Sequence, residues 1–181
     1  MSSGIEIERK YIIKMPDVPT LRAMPEYTES EITQTYLAPL EIGSTERVRR
    51  RVFADTKRFY HTVKKRIDSM SCLEDEREIS EEEYLTLLSR RDASARPIEK
   101  TRYTFSYDGL TVEIDKYAPW DSIAVLEVEL PSRDVAPSLP DFIEIVFEAT
   151  GNHAFSNAAL ATRFPSEDEV LSLTYDISCP R

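Results

Sequence analysis

Through the first 130 positions charged and aliphatic residues alternate with a period of two, the pattern of strands whose two faces meet different surroundings. Residues 5–13 alternate in this way and end at Met15-Pro16, and residues 31–37 predict a second strand that stops before Pro39. Residues 47–53 and 58–66 predict a hairpin turning near Ala54-Asp55, and residues 74–80 a fifth strand. Ser80, with Glu83 three positions on, forms a capping-box pattern that starts a helix running to about residue 91, its apolar positions being Tyr84, Leu85, Leu87 and Leu88. Residues 98–107 and 110–117 flank Asp108-Gly109, a pair that tolerates positive φ and so suits a two-residue hairpin turn. Residues 123–130 predict the last strand, which stops at Pro131. Beyond it the period changes. Residues 141–150 and about 155–162 predict helices broken at Gly151-Asn152, with a short third helix at 166–173. No internal repeat is visible.

Eight antiparallel strands predict a barrel or a sandwich. The expected organisation is a single domain over residues 1–181, with strands at about 5–130 and a C-terminal helical segment at about 140–175. Parity separates two faces. One carries Glu6, Glu8, Lys10, Arg47, Arg49, Arg51, Lys64, Glu76, Glu78, Lys100, Arg102, Glu113, Asp115, Glu127 and Glu129. The other carries Ile5, Ile7, Val48, Val52, Val63, Ile79, Val112, Ile114, Val128 and Leu130. Two arrangements satisfy this pattern. Either the charged face is the solvated outside of a barrel filled by its apolar face, or the barrel keeps its charges inside and lays the apolar face against helices. The second needs compensation, because an isolated buried charge costs several kcal/mol. Eight acids against seven bases in the charged set make near-neutral pairing feasible.

Composition narrows the partners. The chain has 181 residues, 41% of them hydrophobic, enough for one domain with a core. Its net charge of −10 disfavours nucleic acid, whose phosphate backbone rewards excess Lys and Arg. A small anion is still accessible, since 23 basic residues can be gathered in one place. Cys72 and Cys179 lack CxxC spacing, so neither a disulfide framework nor a zinc knuckle is signalled. No apolar leader opens the chain, and no stretch approaches the roughly 20 apolar residues of a membrane span. The expectation is a cytoplasmic monomer or homodimer with neither nucleic-acid nor membrane partner.

The charges are also sorted by sign. Acids come two residues apart as Glu6/Glu8, Glu76/Glu78, Glu113/Asp115 and Glu127/Glu129, and on a strand such carboxylates point the same way about 7 Å apart. Bases come as Arg47/Arg49/Arg51 and Lys100/Arg102, with Lys10 and Lys64 single. Carboxylates gathered from several strands make an oxygen-rich site suited to hard cations such as Mg2+ or Mn2+. Arg offers forked donors matched to phosphate oxygens, and Lys a compact point charge. Acid and base zones in one cavity describe a site for metal and polyphosphate.

Glu6-Ile7-Glu8-Arg9-Lys10 resembles the ExExK signature of the CYTH superfamily, the triphosphate tunnel metalloenzymes. Gln34-Thr35-Tyr36-Leu37, Arg47-Val48-Arg49, Thr62-Val63-Lys64, Glu76-Arg77-Glu78, Glu99-Lys100-Thr101-Arg102-Tyr103, Glu113-Ile114-Asp115 and Glu127-Val128-Glu129 follow in the family's order. The likeness runs from residue 5 to about 130, and Ser156-Asn157-Ala158-Ala159-Leu160-Ala161 resembles the family's C-terminal segment. It implies a mainly β fold, an eight-stranded antiparallel tunnel with flanking and C-terminal helices, its charges inside. By the same likeness Lys10, Arg47, Arg49, Lys64, Lys100 and Arg102 would grip phosphate oxygens. Glu6 and Glu8, with Glu127 and Glu129, would hold Mg2+ or Mn2+, with Glu113 and Asp115 supporting directly or through water. Glu6, Glu8, Lys10 and Lys64 are the expected catalytic set, and the C-terminal segment a plug or lid.

The chain departs from the family pattern at Glu74, where relatives often have a basic residue, and at Ala154-Phe155, where many have Arg-Tyr, so that one C-terminal phosphate contact is lost. Arg51 and Glu78, at strand ends, suit surface ion pairs as well as the site; Tyr36 suits a structural role as well as one beside the nucleophile; His61 and His153 receive no role. Gln-Thr-Tyr-Leu and the compact length look most like the short bacterial inorganic triphosphatases. The expected function is metal-dependent hydrolysis of inorganic triphosphate, a small-molecule polyphosphate. The alternatives are an organic triphosphatase acting on thiamine triphosphate or a nucleotide, a class IV-type adenylate cyclase, and a polyphosphate-binding module without catalysis.

Overall fold

The structure is a computed structural model that describes residues 2–177. Among the described residues nine strands form one antiparallel sheet, in the order β5-β4-β3-β2-β6-β7-β8-β1-β9, with β5 also pairing to β1. The strands are β1 Ser2–Lys14, β2 Thr28–Leu37, β3 Ser44–Phe53, β4 Thr56–Arg66, β5 Ser71–Ile79, β6 Ile98–Tyr107, β7 Leu110–Tyr117, β8 Ile123–Glu129 and β9 Ile145–Glu148. The β1–β5 pairing closes eight of them into a barrel, which removes the free edges of an open sheet. The two predicted tight turns are present: Phe53 pairs with Thr56 and Tyr107 with Leu110. Asp108 and Gly109 take φ of 50° and 74°, the positive values such a turn demands.

Closure depends on β1 serving several neighbours. Its residues from Glu8 to Lys14 pair with β8, while Ser2 to Ile7 pair with β5. Past Ile7 the β5 side of β1 would be bare, and β9 fills it through Tyr11 opposite Glu148 and Ile12 opposite Phe147. Residues 141–150, expected to be helical, therefore contain strand β9 instead. Their apolar spacing is compatible with either period, and the unsatisfied N–H and C=O groups of β1 decide the outcome. Lys14 N donates to Glu144 O (2.9 Å) and Ala149 N to Lys10 O (2.8 Å), tying both ends of the added strand.

Much of the outward face is apolar and covered, while Ile5 and Leu73 on it stay exposed. Helix α1, Val18–Arg22, unpredicted from the sequence and capped by Asp17, lays Leu21 on Tyr11, Ile13, Phe105, Ile114 and Val128. Helix α2, Glu81–Leu87, is capped by Ser80, whose hydroxyl accepts from Glu83 N (3.1 Å), and it sets Tyr84 against Phe59 with ring centroids 4.8 Å apart. A single 3-10 turn, His153–Phe155, then leads to α3, Asn157–Thr162, and α4, Glu167–Ile177. These C-terminal elements seal one end of the lumen. Phe155, Leu160, Ala161 and Val170 pack on Ile12, Ile98, Tyr117, Trp120, Ile123 and Val125. No helix among the described residues is long and apolar enough to cross a membrane.

Candidate functional site

Strand parity is satisfied with the charges inside. They surround a cavity of about 420 Å3 lined from every barrel strand. β2, β3, β4 and β6 form a predominantly basic wall, and β7, β8 and the first half of β1 an acidic one. Lys10, Arg47, Arg49, Lys100 and Arg102 are all less than 10% exposed. Each therefore needs a counter-charge, and each has one.

Arg102 is the most heavily paired. Its guanidinium donates to both oxygens of Asp115 (2.7 Å each), to Glu127 (3.1 Å) and to Glu113. Lys100 bonds the same Asp115, and Lys10 bonds Glu127 (2.9 Å) with Glu8 at 3.5 Å. Burial alone would raise the Asp115 and Glu127 carboxyls. Arg102 with Lys100 outweighs it at Asp115, and Lys10 with Arg102 at Glu127, so both stay below the usual carboxylate range. Burial pulls Lys100 down to about 8 against the opposing Asp115, with Arg102 adding to the fall.

On the other side, Arg49 donates to Glu76 (2.6 Å), which also accepts from Thr62 (2.7 Å), and Arg47 lies 3.8 Å from Glu74. Burial and the neighbouring Arg47 draw the Arg49 guanidinium down to about 10, Glu76 resisting. Among the described residues, the Nε atoms of both Arg47 and Arg49 are buried without any hydrogen-bond acceptor. These are donors in want of an anion.

The acidic wall carries the complementary imbalance. Glu8 stands directly opposite Glu129 across β1 and β8, and Glu113 directly opposite Glu127 across β7 and β8. Like charges so placed destabilise a sheet unless a cation lies between them; Arg102 bridges Glu113 and Glu127, and among the described residues no side chain bridges Glu8 and Glu129. Burial, then Glu6, Glu113 and Glu8, raises the Glu129 carboxyl above its ordinary value. An all-oxygen group of carboxylates that repel one another fits a hard divalent cation.

All twelve expected site residues are brought together, in two depths. Glu6, Glu8, Glu113, Glu127, Glu129, Lys10, Arg47, Arg49, Lys64, Lys100 and Arg102 line the cavity. Asp115 lies one step behind, fully buried between Lys100 and Arg102, where it positions those cations. Arg51 belongs to the cavity as well, its Nε donating to Ser30 (2.9 Å) and its guanidinium 4.4 Å above the Phe53 ring. Glu78 does not; it pairs at 3.9 Å with exposed Arg58. Sequence reasoning gave no site role to Glu74, Cys72 or Gln34. Glu74 and Cys72 share the parity of Glu76, which was the signal that could have found them. Gln34 donates to Tyr36 Oη (3.0 Å) and leaves its buried carbonyl unpaired at the cavity. His153 reaches the cavity rim, whereas His61 lies outside the lumen against Glu46 (2.9 Å).

Comparison with known proteins adds four findings. The CYTH domain family matches residues 4–164. An inorganic triphosphatase of Acetivibrio thermocellus is 31% identical over 161 residues, 87% of this chain and 93% of its own. A solved inorganic triphosphatase is 27% identical, covers 89% of this chain and 97% of its own, and superposes with a TM-score of 0.56. A conserved protein from Pyrococcus furiosus shares the fold at 23% identity, covering 71% of this chain and 80% of its own, with a TM-score of 0.53.

Proposed function

The chain belongs to the CYTH domain family, and from that premise we propose that it hydrolyses inorganic triphosphate within its barrel, using Mg2+ or Mn2+. One observation carries the reading. Guanidinium Nε donors without acceptors among the described residues, on Arg47 and Arg49, share a cavity with two carboxylates that face one another, Glu8 and Glu129. The first lack an anion, Glu129 has no ion-pair partner among the described residues, and a metal–triphosphate complex supplies both.

Glu6, Glu8, Glu127 and Glu129 would hold the cation, with Glu113 at their flank. A divalent cation in that position neutralises the charge that builds on the phosphoryl oxygens. The chain's own residues do the rest. Arg47, Arg49, Lys100 and Arg102 grip the phosphate oxygens, and Asp115 keeps Lys100 and Arg102 aimed at them. Lys10 and Lys64, each in contact with acids as well as the cavity, set the terminal phosphate at the boundary between the walls. Positioning a water in line with the terminal phosphorus lets it attack there, breaking the phosphoanhydride bond and releasing phosphate and pyrophosphate.

Phosphate release from tripolyphosphate, ATP and thiamine triphosphate, each with and without Mg2+ or Mn2+, tests this directly. The expected result is metal-dependent release that is greatest with tripolyphosphate. Tight binding without release would make the chain a binding module, and cyclic AMP from ATP would make it a cyclase. Glu6→Gln or Glu129→Gln should cut turnover roughly 100-fold and raise the metal concentration required. Arg49→Ala should act chiefly on affinity, weakening it about 10- to 100-fold through one lost charge-assisted contact. Unchanged kinetics in all three would show that these side chains do not meet the substrate.

A further inference from the structure

Where β1, β4 and β5 meet, four side chains form a group of their own chemistry. Register sets Cys72 directly opposite Glu6 and Glu74 directly opposite Lys64. The Lys64 ammonium lies 2.8 Å from Glu6 Oε2, 4.0 Å from Cys72 Sγ and in ionic contact with Glu74. Ligand atoms of Glu6, Cys72 and Glu74 all fall within 4.8 Å of one another, close enough to share one small ion. Glu74 is only 6% exposed, and among the described residues its Oε2 has the Lys64 cation but no hydrogen-bond donor of good geometry. The Cys72 thiol is directed at Glu6, 3.7 Å away. A cation thus already sits inside a cage of two carboxylates and a sulfur. It is monovalent, and it is tethered by a flexible four-carbon stem whose side chain is 26% exposed.

We propose that Glu6, Glu74 and Cys72 form a site for a thiophilic divalent cation such as Zn2+ or Co2+, which displaces the Lys64 ammonium and inhibits hydrolysis by withdrawing Glu6 from the acidic wall. The inhibitory consequence rests on the triphosphatase reading; the binding does not. Sulfur sets this cage apart from the all-oxygen group around Glu8 and Glu129, since a thiolate selects Zn2+ over Mg2+. The exchange balances. Cys72 gives its proton to solvent as sulfur bonds the metal, Lys64 leaves still protonated, and water completes a tetrahedral set with three protein ligands. One positive charge departs, two arrive, and one negative charge appears on sulfur, so the cage keeps the net charge it had.

Co2+ serves as the probe, because a cobalt–thiolate bond gives a near-ultraviolet charge-transfer band. Titration should produce that band in the wild-type chain and in Cys179→Ser, and not in Cys72→Ser. In saturating Mg2+, Cys72→Ser is compared with the wild type in zinc inhibition of tripolyphosphate hydrolysis, each against its own zinc-free rate. The variant should need at least about tenfold more Zn2+ for half inhibition, since even outer-shell changes weaken metal sites 10- to 100-fold. No band in the wild type, a band that survives Cys72→Ser, or unchanged zinc inhibition in that variant would overturn the site. A band that behaves as expected in a chain without hydrolase activity would overturn the triphosphatase reading and leave the metal site standing.

Discussion

Along β1 the inward positions run Glu6, Glu8, Lys10, Ile12; along β8 they run Glu129, Glu127, Val125, Ile123; and β6 runs Arg102, Lys100, Ile98. The same strands, with the same alternation, thus build a charged half of the lumen and an apolar half. The halves are stabilised differently. In the charged half, buried ions are paired with one another, and the attraction roughly offsets the desolvation of each ion. In the apolar half, Tyr117, Trp120 and Phe164 pack in tilted and edge-to-face contacts with ring centroids 5.0 to 5.5 Å apart, and burial there is a net gain. One half supplies stability and the other is held open for a ligand by that stability.

Breaking the apolar half should have the largest effect on folding. Trp120 is fully buried, and its indole N–H donates to Pro165 O (2.9 Å). Trp120→Ala should lower unfolding free energy by about 3–5 kcal/mol in denaturant titration, while the molecules still folded keep their tripolyphosphate affinity. A large affinity loss at unchanged stability would reverse the division proposed for the two halves. In the charged half, Arg102→Met leaves Asp115, Glu113 and Glu127 short of their shared partner, and should cost about 3 kcal/mol together with most of the binding. Adding Asp115→Asn to that variant should restore part of the stability and none of the binding. Full additivity in the double variant would show that the two residues are not coupled.

The smallest effect lies outside the lumen, where Glu46 accepts from Arg90 (2.9 and 2.8 Å) and lies 2.9 Å from His61. Burial would raise this carboxyl, but Arg90 and His61 hold it below its ordinary 4.5. A lowered carboxyl contributes its stability fully above pH 4.5, and that contribution disappears as pH falls through the lower folded value. Glu46→Gln should therefore cost about 1 kcal/mol near neutrality, with the gap to wild type closing in acid unfolding. A gap that widens in acid would contradict the pairing.

Much of this was legible in the sequence because period-two alternation is a local property that survives folding. β1 to β8 and their turns follow from it, and parity correctly put Glu6 beside Glu8 and Arg47 beside Arg49. What parity leaves undecided is which face lies inside; family likeness, not periodicity, pointed inward, and the register bears that out. Two things escaped because they are set by contacts distant in sequence. Residues 145–148 become β9 only because β1 offers a bare edge. The depth at which charge gives way to aromatic packing depends on where Phe155 and Leu160 return to the barrel, more than 140 residues after β1.

That return has a consequence for how the chain is made. β1 is synthesised first, yet it pairs with β8 and β9, near residues 123 and 148, so part of its length waits unpaired while most of the protein is still being translated. Long-range closure of this kind is slow, and a waiting strand invites association with other nascent chains. The run Glu6, Glu8, Arg9, Lys10 makes that strand a poor template for such pairing. Residues that later line the charged cavity would first act as gatekeepers on the ribosome.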